Sequence, residues 1–219
     1  MLSIIIPTLN EATRVERLLQ SLAGLNHIEV IVVDGGSLDS TVLLARLYAD
    51  IVIETHAGRA WQMNQGAQIA SGDILWFLHA DSIIPAHAVK TIDNACKKKA
   101  WGRFDIRLSG KQRLLKWVSF MMNKRSCLTQ IATGDQGLFV HADLFHQIGG
   151  FPNIPLMEDI AISHRLKRKT RMCCLHSTLT TSSRRWQQNG ILKTIILMWS
   201  LRLAYTIGIS PEILYRIYY

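Results

Sequence analysis

Short apolar runs separated by helical patterns fill roughly the first eighty residues, and few arrangements besides a parallel α/β sheet accommodate that order. Ser3–Ile6 ends at Pro7, and Glu29–Val33 reads EVIVV up to Asp34. Ile51–Ile53 is shorter, and Ile74–Leu78 reads ILWFL. Each has the length of a strand buried on both faces. Between the first two runs, Val15, Leu18, Leu19 and Leu22 fall on one helical face, with Asn10 or Thr13 as the N-cap. Leu38–Ala49 and Trp61–Ala70 fill the next gaps in the same way. The pattern predicts a doubly wound, mostly parallel, Rossmann-like sheet with right-handed crossovers and helices on its faces.

The pattern loosens past residue 100. Gly102–Leu108 reads as a strand, Gly110–Arg125 as a helix, and Gly134–Val140 as a return to the sheet. Gly149-Gly150-Phe151-Pro152 is a turn, Leu156–Arg168 a helix, and the chain is helical from about Trp186. We therefore divide the 219 residues into a main domain, 1–185, and a helical C-terminal appendage, 186–219.

Charge is split along the chain. Residues 1–96 hold 5 basic and 10 acidic side chains, whereas residues 97–219 hold 20 and 6. A uniformly basic nucleic-acid binder does not concentrate its acids like this, and the basic half lacks the aromatic interleaving of a single-strand platform. No GxGxxG follows the first strand, which argues against a nicotinamide dehydrogenase. The four cysteines (Cys96, Cys127, Cys173, Cys174) form no CxxC and read as reduced thiols of a cytoplasmic protein. The start, MLSIIIPTLNE, has no basic segment ahead of its apolar run and does not read as a signal peptide.

In open parallel sheets, ligands bind beyond the carboxyl ends of the strands. Pro7-Thr8, Asp34-Gly35-Gly36 and His79-Ala80-Asp81 all fall there. Asp34 either accepts from a nucleoside or shapes the turn before the next helix. Asp39 and Thr41 read as helix caps or first-turn helix residues rather than ligands. His79 and Asp81, two residues apart, suit a divalent cation that also holds phosphate oxygens; the alternative is that Asp81 caps a helix starting at Pro85. Gly58-Arg59 precedes a helical run, a good place for a diphosphate. Glu158 and Asp159 are the only acids between Asp143 and Glu212, at a helix start, where a carboxylate can serve as general base.

Taken together, SIIIPTLNE, VVDGGSLDST, GRAWQMNQGAQIASGDILWFLHADS and the later MED resemble the family 2 glycosyltransferases, which have the GT-A nucleotide-diphospho-sugar transferase fold. The nearest likeness is to a small bacterial branch with GRAxQMNxGA…FLHAD. The resemblance implies an inverting hexosyltransferase using a UDP- or GDP-sugar, with Mn2+ or Mg2+. By the same resemblance, Pro7, Thr8, Glu11, Asp34, Gly35, Arg59 and Asp73 serve the nucleotide. Asp81 matches the metal-binding aspartate, with His79 replacing the first acid of DxD. Asp159 matches the catalytic base, with Glu158 beside it, and Gly134, Asp135 and Gln136 match the acceptor-side loop. The competing expectation is a non-catalytic sugar-nucleotide-binding protein with a degenerate metal motif.

Residues 110–125 place Leu114, Leu115, Trp117, Val118, Met121 and Met122 on one arc and basic or polar residues opposite. Such a helix lies on an anionic bilayer or packs on the sheet with its basic face in water. The run Ile191–Ile209 is apolar nearly all round, since Lys193 and Arg202 lie about 180° apart. With Trp199, Tyr205, Tyr215, Tyr218 and Tyr219 near it, it predicts peripheral membrane contact at the inner face of the cell membrane and a lipid-linked acceptor.

Overall fold

A computed structural model describes residues 1–218; Tyr219 lies outside the described residues. The sheet has seven strands: β1 (Leu2–Thr8), β2 (Ile28–Asp34), β3 (Ile51–Glu54), β4 (Ile74–Phe77), β5 (Trp101–Leu108), β6 (Phe139–His141) and β7 (Cys173–Thr181), in the order β3-β2-β1-β4-β6-β5-β7. All pairings are parallel except those of β6, which runs antiparallel to both β4 and β5. The α/β fold class read from the sequence is the one observed.

Alternation along the strands builds a core on each face. Ile4, Ile6, Val32 and Trp76 pack under α1 (Ala12–Leu22) and α4 (Ala88–Cys96). Ile5, Ile31, Val33 and Phe77 pack under α3 (Arg59–Ile69), α6 (Ala142–Gln147) and α7 (Glu158–Lys167). α2 (Thr41–Tyr48) lies beside α1. Asp39 is not the N-cap of α2, a position held by Ser40, but accepts from the Thr41 amide at 2.9 Å in the turn that leads into the helix and from the Ala12 amide at 3.2 Å.

The differences fall in the second half. β7 escapes sequence reading because it is an edge strand, CCLHSTLTT, with hydroxyls and a histidine where a central strand carries aliphatics. Of Gly134–Val140, Gly134–Gln136 is a 3-10 turn and only the end joins β6. The amphipathic helix is α5, Arg113–Thr129, shifted towards the C-terminus from its expected span. The reading of four reduced cysteines is corrected: Cys127 on α5 and Cys174 on β7 are joined in a disulfide, their Cα atoms 6.0 Å apart, because α5 packs across β5 and brings the two elements side by side.

The chain ends in α8 (Arg184–Gln188), α9 (Ile191–Thr206) and α10 (Pro211–Tyr218), so residue 186 lies inside a helix. These helices fold back on the main body. Leu201 and Leu214 are buried with Leu156, Met157 and Ile160, while Ile191 and Ile195 pack near Leu115 and Val118. Among the described residues, no helix is long and apolar enough to cross a membrane.

Candidate active site

Two adjoining chambers open at the carboxyl ends of β1, β2 and β4, divided by Arg59, His79 and Asp81. The first, about 470 Å³, is lined by Pro7, Thr8, Glu11, Gly58, Gln62 and, from α10, Tyr215. The second, about 270 Å³, is lined by Gly134, Asp135, Asp159, Arg185 and Tyr218. The topology thus gathers side chains from both ends of the sequence.

Asp34 forms the support beneath the first chamber. Its carboxylate is fully buried and accepts from Thr8 Oγ1 at 3.0 Å, from the Gly36 and Ser37 amides at 3.0 and 2.7 Å, and from Ser37 Oγ at 2.5 Å. Both of its oxygens are committed to the turn, so of its two expected roles the structure displays the turn-forming one. Gly35 also stands behind the chamber wall, donating to the Thr8 carbonyl at 2.9 Å. A Cβ there would come within 3.1 Å of the Gln62 amide nitrogen.

Asp73, expected beside the nucleotide, is corrected. It precedes β4 at the opposite edge of the sheet and pairs with the N-terminal ammonium at 2.8 Å. The loop before a parallel strand opens away from the ligand edge, and a motif match cannot register that.

Glu158 and Asp159 diverge because successive helical residues point about 100° apart. Glu158 turns inward, 2 % exposed, and its Oε1 accepts from Arg59 Nε at 2.5 Å. Burial raises the Glu158 carboxyl above its usual range against the opposing pull of Arg59. Burial likewise opposes the Arg59 charge, but Glu158 and Asp159 outweigh it and hold the guanidinium above its ordinary value. Expected as a catalytic partner, Glu158 is instead placed to hold Arg59. Asp159 faces the second chamber, accepting from the Gly134 amide at 2.9 Å through Oδ2 and from the Ile160 amide at 2.7 Å through Oδ1. Gly134 permits this approach: a Cβ there would sit 2.9 Å from His79 Nε2.

His79 Nε2 lies 3.5 Å from Arg59 Nη1. Burial and that neighbouring charge push the imidazole down to about 3, so it is neutral. Asp81 Oδ1 is buried without a hydrogen-bond partner, and burial together with Glu11 raises its carboxyl. It caps no helix, because α4 begins at Ala88 after His87. An unsatisfied carboxylate oxygen at the divide fits a hard divalent cation. Among the described residues, no cluster of three or more His, Cys, Asp or Glu forms a metal cage. Mn2+ or Mg2+ would therefore rest on Asp81, with the neutral His79 beside it, and complete its shell with phosphate oxygens and water.

Of the expected acceptor-side loop, Gly134 and Asp135 line the second chamber, but Gln136 points inward. It is fully buried, and its side-chain oxygen accepts from the Thr133 amide at 3.0 Å to close the 3-10 turn. Burial raises the Asp135 carboxyl against a hydrogen bond from Thr133, and Asp159 adds to the rise.

Two amides escaped the sequence reading. Gln62 Nε2 donates to the Thr8 and Val33 carbonyls at 2.9 and 2.8 Å, locking the ends of β1 and β2 to α3. Asn64 donates to the Phe151 carbonyl and accepts from its amide, at 2.8 and 2.9 Å. Polar amides spaced through a helix with no clear apolar stripe were the available signal.

Residues 3–110 match the model described as Glycosyl transferase family 2. The chain is 32% identical over 162 residues to an uncharacterized glycosyltransferase, MT1564, of Mycobacterium tuberculosis, a match covering 68% of this chain and 62% of that one. The chain thus matches less than two thirds of that relative's length. Among solved structures it resembles S. aureus TarS 1-349 in complex with UDP-GlcNAc (TM-score 0.67, 19% identity, 83% of this chain and 58% of that one). It also resembles the mannosyltransferase PcManGT from Pyrobaculum calidifontis in complex with GDP-Man and Mn2+ (0.61, 21%, 82% and 56%). At these identities the structures speak for the fold alone.

Proposed function

Residues 3–110 form a family 2 glycosyltransferase domain, and from that premise we propose that the chain moves a hexosyl group from a UDP- or GDP-sugar to an acceptor hydroxyl with inversion at the anomeric carbon. The observation that carries the reading is the division of one cleft by Arg59, His79 and Asp81, with the strand-end chamber on one side and Asp159 on the other. The nucleotide occupies the first chamber against Pro7, Thr8 and Glu11, and the acceptor enters the second.

Each step falls to a named group. Arg59, fixed by Glu158, meets the diphosphate as negative charge develops on it. A divalent cation on Asp81, when bound, supplies further neutralisation of that charge. Asp159 takes the acceptor hydroxyl proton as the new bond to the anomeric carbon forms and the bond to the diphosphate breaks. Such a transition state has oxocarbenium character, and a single displacement inverts the centre. The acceptor is lipid-linked, and the protein works at a membrane surface.

A thermal-shift panel of UDP- and GDP-sugars, with and without Mn2+, tests the donor half. One nucleotide should raise the melting temperature in a Mn2+-dependent way that Asp81→Asn removes. Asp159→Asn should keep that shift while losing about 10²–10⁴-fold in turnover. A chain that binds donor yet turns over equally poorly with and without Asp159 would be a sugar-nucleotide binder, and the proposal would fall.

A further inference from the structure

A groove between α5 and α9 leads into the second chamber. It encloses about 240 Å³, with Trp117 and Met122 on one wall, Met198 and Trp199 on the other, and Arg125 and Arg202 set among them. Met122, Met198 and Arg202 also line the chamber that holds Asp159, so groove and chamber are continuous.

The groove combines two chemistries that rarely meet without a reason. Its walls are largely apolar, yet Arg125 Nη2 is buried there without a hydrogen-bond partner. Burial lowers its affinity for its own proton against the opposing pull of Asp135 and Asp159, and the unsatisfied Nη2 still calls for an acceptor, best met by an anionic ligand. Outside, α5 and α9 carry an apolar strip: Trp117 is 56% exposed, Trp199 65% and Leu203 65%. Lys116, Lys124 and Lys193 are exposed beside it. Tryptophans and lysines bordering an exposed apolar strip suit the boundary between headgroups and acyl chains.

We propose that this groove is the tail site of the acceptor. The acceptor is an amphiphile taken from a membrane; its apolar chain lies between α5 and α9, and its phosphate meets Arg125 and Arg202 at the inner end. The volume is smaller than the roughly 300–1,000 Å³ of small-molecule pockets, so it holds one stretch of chain while the remainder stays in the bilayer. Anchoring the head there presents the acceptor hydroxyl to Asp159. This rests on the second chamber being the transfer site.

The test uses the full chain and three probes: dodecyl phosphate, dodecyl maltoside and inorganic phosphate. Tryptophan fluorescence reads occupancy, since Trp117, Trp186 and Trp199 line the groove. Dodecyl phosphate should bind saturably below its micellar concentration, at least about tenfold tighter than the maltoside, which corresponds to about 1.4 kcal/mol. Inorganic phosphate should not compete at equal concentration. Arg125→Gln should bring dodecyl phosphate down to the affinity of the maltoside, with Arg202→Gln as the second variant if the first fails to fold. Trp199→Ser should weaken both amphiphiles. Equal binding of the two amphiphiles, or no saturable binding, overturns the proposal. So does a dimer through these helices that dodecyl phosphate fails to dissociate. The donor shift is measured on the same samples: donor binding without amphiphile binding removes the groove alone, whereas loss of both removes the transferase reading as well.

Discussion

Replacing Arg59 with methionine keeps most of the aliphatic stem and removes the cation bonded to Glu158. The Glu158 carboxylate is 2 % exposed, and its second oxygen already lacks a partner, so the variant leaves a buried charge with no compensation. Breaking a buried pair from one side costs about 3–5 kcal/mol, and the 40% exposure of Arg59 argues for the lower end, about 3 kcal/mol at neutral pH. The deficit should depend on pH in a defined direction. In Arg59→Met, the folded-state pKa of Glu158 is raised further above its unfolded value of about 4.3. Its contribution to stability is then fully present below about pH 4.3 and is lost as pH rises through the folded value. Urea unfolding followed by tryptophan fluorescence should therefore give a large deficit near about pH 8 that shrinks near about pH 5. Glu158→Gln leaves Arg59 with access to water and should cost less than about 1 kcal/mol. The double variant should recover at least about 1 kcal/mol of the sum of the single effects. A deficit independent of pH, or equal costs for the two single variants, would refute the account of Glu158 as a buried anion held by Arg59.

Gly66→Ala should destabilise by about 1–3 kcal/mol despite the better helix propensity, because its Cβ would stand 2.6 Å from Ile5 Cγ2; thermal unfolding checks it. Asp135→Asn should be more stable than the parent at about pH 8 and lose that advantage below about pH 4, since burial raises the Asp135 carboxyl and its stabilising protonated form is lost as pH rises through the folded value. Replacing Cys127 and Cys174 by serine removes a cross-link spanning 47 residues and should cost up to about 4 kcal/mol in urea unfolding, a loss that reductant reproduces in the parent.

What was legible follows from where each residue sits. β1, β2 and β4 lie inside the sheet, covered on both faces, so their sequences carry apolar runs that survive inspection without a structure. β7 lies at an edge and carries no such run. At the cleft, Arg59 and Asp81 are legible as lining residues because the ends of parallel strands, and the helix starts that follow them, face the ligand edge of such a sheet. Asp73 was misplaced because the same residue type occurs at both ends of β4, and only the direction of the strand separates them. Glu158 and Asp159 looked equivalent as neighbours; their separation needs the helix phase, and the partner of Glu158 lies 99 positions away. Gln62 does its work through the Thr8 and Val33 backbone carbonyls, so the sequence can mark it as a polar residue on a helix without an apolar stripe but cannot name its partners.

The split of charge along the chain has a structural origin as well as a functional one. Several acids of the first half serve the scaffold: Asp34 and Asp39 form turns, Asp50 accepts from the Val30 amide, and Glu29 holds Ser3 and Ser71. A surplus of carboxylates there does not by itself mark a cation site. In the basic half, Arg103 is buried and spent on Ser126, Asp105 and the Asn123 carbonyl. A sharper discriminator is the set of buried side-chain atoms without partners. Among the described residues these are Asp81 Oδ1, Arg125 Nη2, Asp135 Oδ1 and Glu158 Oε2. Asp81 and Asp135 line the chamber of Asp159, Glu158 holds an arginine that lines it, and Arg125 lies in the groove that opens into it. Each unsatisfied atom costs on the order of 1–3 kcal/mol, which a scaffold does not retain in one place by chance. Among the described residues these unsatisfied atoms gather at one cleft, where a bound donor and acceptor would supply the hydrogen-bond partners that the chain leaves open.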